Sequence, residues 1–297
     1  MQKRPSSSVW IYLIMTFSLS ILLSIFIGVT GGEHTPYQAA KFTSMFIPAI
    51  AVFILQLSGE SFVKKGLQQF PLSWIPIALF VFPVVIHSIC VPVIAFQNNS
   101  QIPWQSWLTP TGDGLYHAPA EKGWGVLSKS GLIFHVFLNA VAGILAVSML
   151  AFFEEIGWRA WLLPRLIERF DMKKGVVICS VIWALWHVPF IIGGLHHIEH
   201  APMWILLLFY PLGNIGAGIV LGWLWVRTES IWIVSIAHGS LNNWGQYLFK
   251  FMDDITSPGQ TSALIAALNL SLFVLGMIFL GMIRWPRNDK GHLGVYK

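Results

Sequence analysis

Three short polar patterns interrupt the apolar segments of this 297-residue chain. They are Glu154-Glu155-x-x-x-Arg159, Trp183-x-x-x-His187 and His238-x-x-x-Asn242. A carboxylate can act as a general base, an imidazole can hold or transfer a proton, and paired N–H donors can form an oxyanion hole. A site that combines these groups can activate water and stabilise a tetrahedral intermediate, and acyl hydrolysis is the simplest chemistry that uses all of them.

The first pattern separates its two carboxylates. Glu155 and Arg159 are four residues apart, so on a helix they lie on one face and can pair. Glu154 is turned by about 100° from its neighbour and can face a different element. Burial and mutual repulsion favour protonation of one of the two carboxylates, which suits a general base. The pattern alone leaves an alternative open, namely an ion pair at a helix end with one spare glutamate.

Each histidine pattern also has a structural alternative. His187 lies within an apolar segment just before Pro189, and a single intramembrane histidine is often a contact between helices. His238 and Asn242 share a helix face and can both donate to one oxygen, although such groups also join helices. We predict that the catalytic residues are Glu154, His187, His238 and Asn242, and that the supporting residues are Glu155 and Arg159.

The elements that carry these residues are predicted to cross a membrane. Hydrophobic residues make up 55% of the chain and charged residues 10%, with a mean hydropathy of +0.67, whereas about a quarter of a soluble domain is charged. We predict an all-α membrane protein, a polytopic bundle of about eight transmembrane helices, as one domain over 1–297. The predicted spans are 9–29, 43–58, 74–96, 131–153, 175–193, 203–226, 230–249 and 261–284, of which the second is short.

Positive charge orients these spans. With both termini in the cytoplasm and Arg159 set aside as intramembrane, few of the 18 lysines and arginines fall outside. The outside residues are Lys41, Lys122, Lys129 and Lys250. This bias predicts cytoplasmic termini. It also places Glu154 at the cytoplasmic end of the fourth span, in an intramembrane cavity that faces the cytoplasm.

The loop 97–130 is then external, and three tryptophans in it are expected at the headgroup level, namely Trp104, Trp107 and Trp124. The segment from His196 to His200 follows Gly193-Gly194 and is also predicted as an external loop, across the membrane from Glu154. Chance metal binding by its histidines is the alternative. We interpret His87 and His135 as helix contacts.

Composition excludes some partners. The net charge of +5 and the pI near 9.3 do not indicate nucleic acid binding, because the basic residues are spread between apolar segments. Cys90 and Cys179 both lie in apolar segments, form no CxxC and are expected to be small core residues. The first apolar segment is long for a signal peptide and is predicted to be an uncleaved span.

The three patterns resemble those of the CPBP family, the CAAX-protease and bacteriocin-processing membrane proteases also called the Abi family. Its members carry Glu-Glu-x-x-x-Arg, Phe-x-x-x-His and His-x-x-x-Asn or Asp on successive core helices. Order and spacing match here over about 131–249, which we predict as the catalytic core. The flanking segment 157–164 is similar to bacterial members. Trp183 stands where Phe is usual, and because one aromatic residue replaces another we expect a packing adjustment rather than lost activity.

The resemblance implies a role for each matched residue. Glu154 with His187 would hold and deprotonate the attacking water, and His238 with Asn242 would form the oxyanion hole. The carboxylate–guanidinium pair of the first pattern would support the site. The resemblance further implies an integral protein of a bacterial cell membrane, with membrane lipid and a peptide or protein substrate as partners.

The cofactor is left open by the sequence. If a metal is present, its ligands would be Glu154, His187 and His238, which would suit catalytic zinc. The chain has no His-Glu-x-x-His helix. The family is classed as a metalloprotease family, while a glutamate-type mechanism without metal is also argued for it. The prediction is therefore either a divalent metal such as zinc or none.

Two other function classes are weighed against an intramembrane endopeptidase. The first is a non-catalytic protein of the same fold, acting in bacteriocin self-immunity or as a scaffold, which would have no need of all four catalytic groups. The second is a transporter with a proton-linked carboxylate. The sequence shows no pair of corresponding broken-helix halves, which disfavours a transporter.

Overall fold

The computed structural model describes residues 6–60, 65–97, 110–117, 126–196, 198, 200–250, 257–281 and 285. The predicted headgroup residues Trp104, Trp107 and Trp124 lie outside this set, as do His197 and Glu199.

Helices dominate the described chain. The α-helices are α1 (Ser6–Val29), α2 (Gln38–Thr43), α3 (Ile47–Leu57), α4 (Lys65–Gln68), α5 (Ile75–Gln97), α6 (Lys129–Glu155), α7 (Leu163–Phe170), α8 (Met172–Ile192), α9 (Met203–Thr228), α10 (Ile231–Lys250) and α11 (Pro258–Gly281). Short 3-10 helices cover Gly32–His34, Ser44–Phe46 and Leu72–Trp74, and a π-helical segment covers Ile156–Leu162. Two short antiparallel strands, β1 (Tyr116–His117) and β2 (Val126–Leu127), pair within the predicted external loop.

Most of the predicted spans are long and apolar enough to cross a membrane. Six helices in the described chain meet this condition, namely Ser7–Val29, Leu72–Val93, Val141–Phe170, Met172–Ile192, Met203–Thr228 and Pro258–Gly281. The second predicted span is a shorter apolar helix, Ser44–Leu57. The seventh is helix α10, which is 20 residues long but carries His238, Asn242 and further polar residues on its faces. The predicted class, an all-α polytopic membrane protein, is confirmed.

The fourth span differs from its prediction. It was expected to end one residue before Glu154, but α6 continues without a break through the π-helical segment into α7. One 30-residue apolar span therefore covers Val141–Phe170. Glu154 lies near the middle of this span and not at its end. The prediction missed the continuation because charged residues near Arg165 suggested a loop.

Arg165 is itself buried within this long helical run. Its side chain is 4% exposed, its Nη1 donates to the carbonyl of Trp161 at 2.8 Å and its Nη2 pairs with Glu60 at 3.2 Å. The chain turns back only at Asp171, whose φ of 125° is left-handed and whose carboxylate caps α8 by accepting from the Lys174 N–H at 2.9 Å.

Helix α9 occupies the centre of the bundle and packs on α8 and α11, while α10 packs on α5 and α6. Small residues allow the close approach of α9 to α11: a Cβ on Gly216 would overlap the carbonyl oxygen of Leu272, and Gly276 faces the Gly216 backbone. The interior is apolar and rich in tryptophan. The outside of α1 is apolar as well, with Trp10 62% and Val29 78% exposed, as lipid contact requires.

Candidate active site

Glu155 is the carboxylate that joins two elements of the site. Its Oε1 accepts from Arg159 Nη1 at 2.8 Å and from His238 Nδ1 at 2.7 Å. All three side chains are almost completely buried. Arg159 lies one turn further along the same continuous helix, in the π segment, whereas His238 lies on a different helix, α10. Charge-assisted hydrogen bonds of this length are strong in a low-dielectric interior.

Glu154, its neighbour, faces a different helix. Its Oε2 accepts from the indole Nε1 of Trp183 on α8 at 3.1 Å, and both side chains are buried. The Trp183 ring also lies 4.6 Å from the Arg159 guanidinium and 5.2 Å from the His238 ring. A packing adjustment was expected at Trp183, where the family usually has phenylalanine. The structure adds a hydrogen bond, because the indole N–H, which phenylalanine lacks, is bonded to Glu154.

His187 is tied to the same tryptophan through the backbone. Its Nδ1 lies 2.8 Å from the carbonyl oxygen of Trp183, one turn earlier on α8. A carbonyl can only accept, so Nδ1 carries the proton and Nε2 keeps its lone pair. Trp183 therefore connects Glu154, through its side chain, to His187, through its main chain. The two groups predicted to hold water are coupled by one residue.

His238 and Asn242 come from one face of α10, one turn apart. Because Nδ1 of His238 donates to Glu155, its Nε2 is the ring nitrogen left for substrate. Asn242 is partly buried, and its amide can supply a second N–H donor.

The π-helical segment directly after the two glutamates is packed tightly against the N-terminal helices. A Cβ on Gly157 would overlap Pro48 of α3 and lie 2.5 Å from the Tyr12 hydroxyl of α1. Tyr12 stacks on Trp161 with ring centroids 4.6 Å apart, and the Cys179 thiol donates to the carbonyl of Trp158 at 3.4 Å. A wide π turn beside a functional group is a recurrent arrangement in proteins, and here it follows the two carboxylates.

His196 does not lie across the membrane from the site, as was predicted for its segment. The His196 ring lies 5.8 Å from the His187 ring, and Tyr210 of α9 lies 6.0 Å from it. The cause is the turn after α8: Gly194 has φ 80°, and the Leu195 N–H donates to the carbonyl of Phe190 at 2.9 Å. This helix cap folds the chain back onto α8, where the two glycines had suggested only a loop.

The other histidine and cysteine predictions agree with the geometry. His87 of α5 packs edge-on against Trp244 of α10, with ring centroids 4.9 Å apart, and so joins two helices. His135 of α6 is buried. Cys90 and Cys179 are both free and buried.

Glu154, His187 and His238, the ligands expected if a metal is present, are not grouped as a metal site in the described part of the chain. Among the described residues, no three His, Cys, Asp or Glu side chains are grouped closely enough to hold one ion.

All six predicted site residues lie in one region of the bundle, contributed by α6, the π segment, α8 and α10. Sequence reasoning missed three contributors, namely the indole N–H of Trp183, the ring of His196 and the ring of Tyr210. Tyr210 lies in an apolar segment, where only its hydroxyl group, beside Pro211, distinguished it from the apolar residues around it. The signal at His196 was the histidine cluster itself, which was expected to lie away from the site.

The fold and the site define a class: a polytopic helical membrane protein with a buried glutamate, two histidines and an asparagine brought together from three helical runs. Residues 131–244 match the family model described as Type II CAAX prenyl endopeptidase Rce1-like. Over this segment, which is less than half of the chain, the match agrees with the resemblance to the CPBP family.

A curated relative points the same way. The chain is 29% identical over 107 residues to CAAX prenyl protease 2 of Methanococcus maripaludis. The match covers 35% of this chain and 39% of the relative, so it spans well under half of the relative's length.

Proposed function

We propose that this protein is an intramembrane endopeptidase that hydrolyses peptide bonds in membrane-associated peptides or proteins. The observation that carries the proposal is the placement of Glu154 and His187 on either side of Trp183, one bonded to its indole N–H and the other to its carbonyl. A carboxylate and an imidazole fixed to one residue can hold a single water molecule between them.

Glu154 is the general base in this proposal. Its carboxylate removes a proton from water, whose second hydrogen bond goes to the lone pair on His187 Nε2. The hydroxide oxygen bonds to the carbonyl carbon and forms a tetrahedral intermediate. When the C–N bond breaks, Glu154 passes its proton to the leaving nitrogen, which restores the carboxylate and releases an amine and a carboxylic acid.

His238 and Asn242 form the oxyanion hole in this proposal. Negative charge develops on the carbonyl oxygen as the intermediate forms, and N–H donors aimed at that oxygen stabilise it. Asn242 donates from its amide. His238 donates from Nε2 while its Nδ1 stays bonded to Glu155 at 2.7 Å. Arg159 holds Glu155 in place through the same Oε1.

The substrate class follows from the relative and from the depth of the site. The relative's name identifies it as a CAAX prenyl protease, and Glu154 lies near the middle of an apolar span. We therefore propose a substrate that partitions into lipid, such as a peptide or protein terminus carrying a prenyl or other lipid group. Approach from the cytoplasmic side remains our expectation from the charge bias.

Comparative analysis of protein termini tests the proposal in the native host. Cells carrying the wild type and cells carrying Glu154→Ala are compared for new protein termini in the membrane fraction. The proposal expects termini that depend on Glu154, with equal amounts of both proteins inserted. Identical sets of termini under every growth condition would count against a protease and in favour of a non-catalytic role.

A further inference from the structure

The imidazole of His187 is enclosed by two groups of contacts with different origins. Trp183 and Trp186 belong to its own helix, and both ring centroids lie 4.9 Å from that of His187, nearly perpendicular to it. These contacts move together with α8. His196 and Tyr210 contact the ring from outside α8 and can therefore fix it relative to the rest of the bundle.

We propose that Tyr210 and His196 are positioning residues that hold the His187 imidazole in the orientation that water activation requires. The inference rests on the proposed hydrolytic function of the site. Neither residue belongs to the three sequence patterns. The ring torsion of histidine is broad, and the Trp183 carbonyl holds His187 at Nδ1 alone. Contacts from other elements can keep the ring from rotating away from that hydrogen bond, and so maintain the direction of Nε2.

The three rings form a closed set. His187 lies 5.8 Å from His196 and 6.0 Å from Tyr210, and the His196 and Tyr210 centroids are 4.9 Å apart. The Tyr210 hydroxyl lies 3.4 Å from His196 Nδ1. Each ring comes from a different element, namely α8, the turn after it, and α9. A rotation of His187 would have to displace at least one of the other two.

His196 is suited to this role because it carries no charge at neutral pH and because the turn that carries it is held in place. Burial lowers its pKa to about 4, so at neutral pH it adds no charge beside His187. The turn that carries it is closed by the Leu195–Phe190 hydrogen bond of 2.9 Å. Gly193 in the same turn packs so closely on α1 that a Cβ there would lie 2.6 Å from the Ser24 carbonyl oxygen.

The positioning role can be tested by measuring kcat and KM for cleavage of a lipid-anchored peptide by the full-length protein in liposomes. Tyr210→Leu is expected to lower kcat about 10-fold with little change in KM, because misplacement of a catalytic group mainly affects the chemical step. Tyr210→Phe, which keeps the ring, should retain most of the activity. The matched control is Phe209→Leu, since Phe209 packs on the neighbouring cluster of Ile191, Ile205, Leu206 and Ile265.

A double-mutant cycle separates positioning from general packing. In a His187→Ala protein, adding Tyr210→Leu should cause no further loss, because the tyrosine acts through a ring that is no longer present. An equal loss in both backgrounds would overturn the proposal, and so would an effect confined to KM, which would indicate direct substrate contact. The same cycle applies to His196→Ala.

A second measurement does not depend on activity. In ¹⁵N NMR spectra of histidine-labelled protein, assigned with His187→Gln, the wild type should show His187 as a single Nδ1-protonated tautomer. Tyr210→Leu and His196→Ala should show mixed tautomers, whereas Phe209→Leu should not. An unchanged His187 signal in all variants would overturn the positioning role even if the enzyme cleaves peptide. These spectral changes together with a wild type that cleaves no peptide would overturn the proposed function alone.

Discussion

The two adjacent glutamates have different partners, and that difference assigns their chemistry. Glu155 is bonded to Arg159 and His238, so it is occupied by charge-bearing groups. Glu154 accepts a hydrogen bond from the neutral indole of Trp183 at one oxygen, and we assign its other oxygen to water. In the proposed mechanism, Glu155 therefore supports the site through its pair with Arg159, and Glu154 acts as the base.

The Glu155–Arg159 pair could be predicted from spacing, because residues four apart meet on any helix. The contacts of Glu155 to His238 and of Glu154 to Trp183 join residues 83 and 29 positions apart. No periodicity encodes such contacts, since they depend on how helices are rotated against one another. The sequence therefore indicated which residues belong to the site but not how they pair.

Replacing Trp183 by phenylalanine tests the orienting hydrogen bond. Trp183→Phe keeps an aromatic ring in the core but removes the N–H that holds Glu154, and a hydrogen bond to a charged group contributes about 1.5–3 kcal/mol. We expect kcat to fall at least about 10-fold at unchanged KM in the liposome peptide assay.

The matched control for this substitution is Trp232→Phe. That indole donates to the carbonyl of Leu67 at 2.9 Å, away from the catalytic groups. It should leave kcat close to the wild-type value. Equal kcat values for the wild type and Trp183→Phe would show that the indole N–H does not orient the base.

At the scale of elements, the π-helical segment and the turn after α8 are the features that place the site. The apolar pattern predicted helices in the right places, because burial and lipid contact impose it. It could not predict the π turn at Ile156–Leu162, which is accommodated by packing against Tyr12 and Pro48. It predicted a loop after Gly193-Gly194 but not that the turn there brings His196 against His187, since the same two glycines can open a loop or cap a helix.

Gly157 provides a test of this packing. A Cβ there would overlap Pro48 and press on Tyr12, and overpacking of a tight interior costs about 1–3 kcal/mol. We expect Gly157→Ala to lower the midpoint of thermal unfolding in detergent and to reduce peptide cleavage, because the shift would reach Glu154.

The matched control is Gly281→Ala, at the end of α11, where an added Cβ would contact nothing within 4 Å. Its unfolding midpoint should equal that of the wild type. A Gly157→Ala protein as stable and active as the wild type would mean that the π segment tolerates displacement from α1 and α3.

At the scale of the whole molecule, composition alone was sufficient for the class. A chain with 55% hydrophobic and 10% charged residues cannot cover a water-facing surface, and the described structure is a helical bundle with an apolar exterior. The predicted boundaries of the spans were less accurate where polar residues of the candidate site interrupt an apolar segment. The fourth span was cut short at Glu154, and α10 combines span length with the polarity of a catalytic helix.

Orientation is a prediction that topology reporters can test. The distribution of lysine and arginine predicts cytoplasmic termini. We expect a green fluorescent protein fused after Lys297 to fluoresce and an alkaline phosphatase at the same position to be inactive. A fusion after His117, in the predicted external loop, should give the reverse pattern. Active phosphatase at the C terminus would contradict the predicted orientation and, with it, the expected entry of substrate from the cytoplasmic side.

The most direct test of the account is hydrolysis by the purified protein in liposomes, with both products of a lipid-anchored peptide quantified by mass spectrometry. The comparison is between the wild type and Glu154→Gln, which keeps the shape of the side chain and can still accept from Trp183 but cannot act as a base. We predict cleavage by the wild type and a kcat reduced at least about 100-fold in the variant, with equal thermal unfolding midpoints. Cleavage by Glu154→Gln at the wild-type rate would contradict the central claim that this carboxylate activates the attacking water.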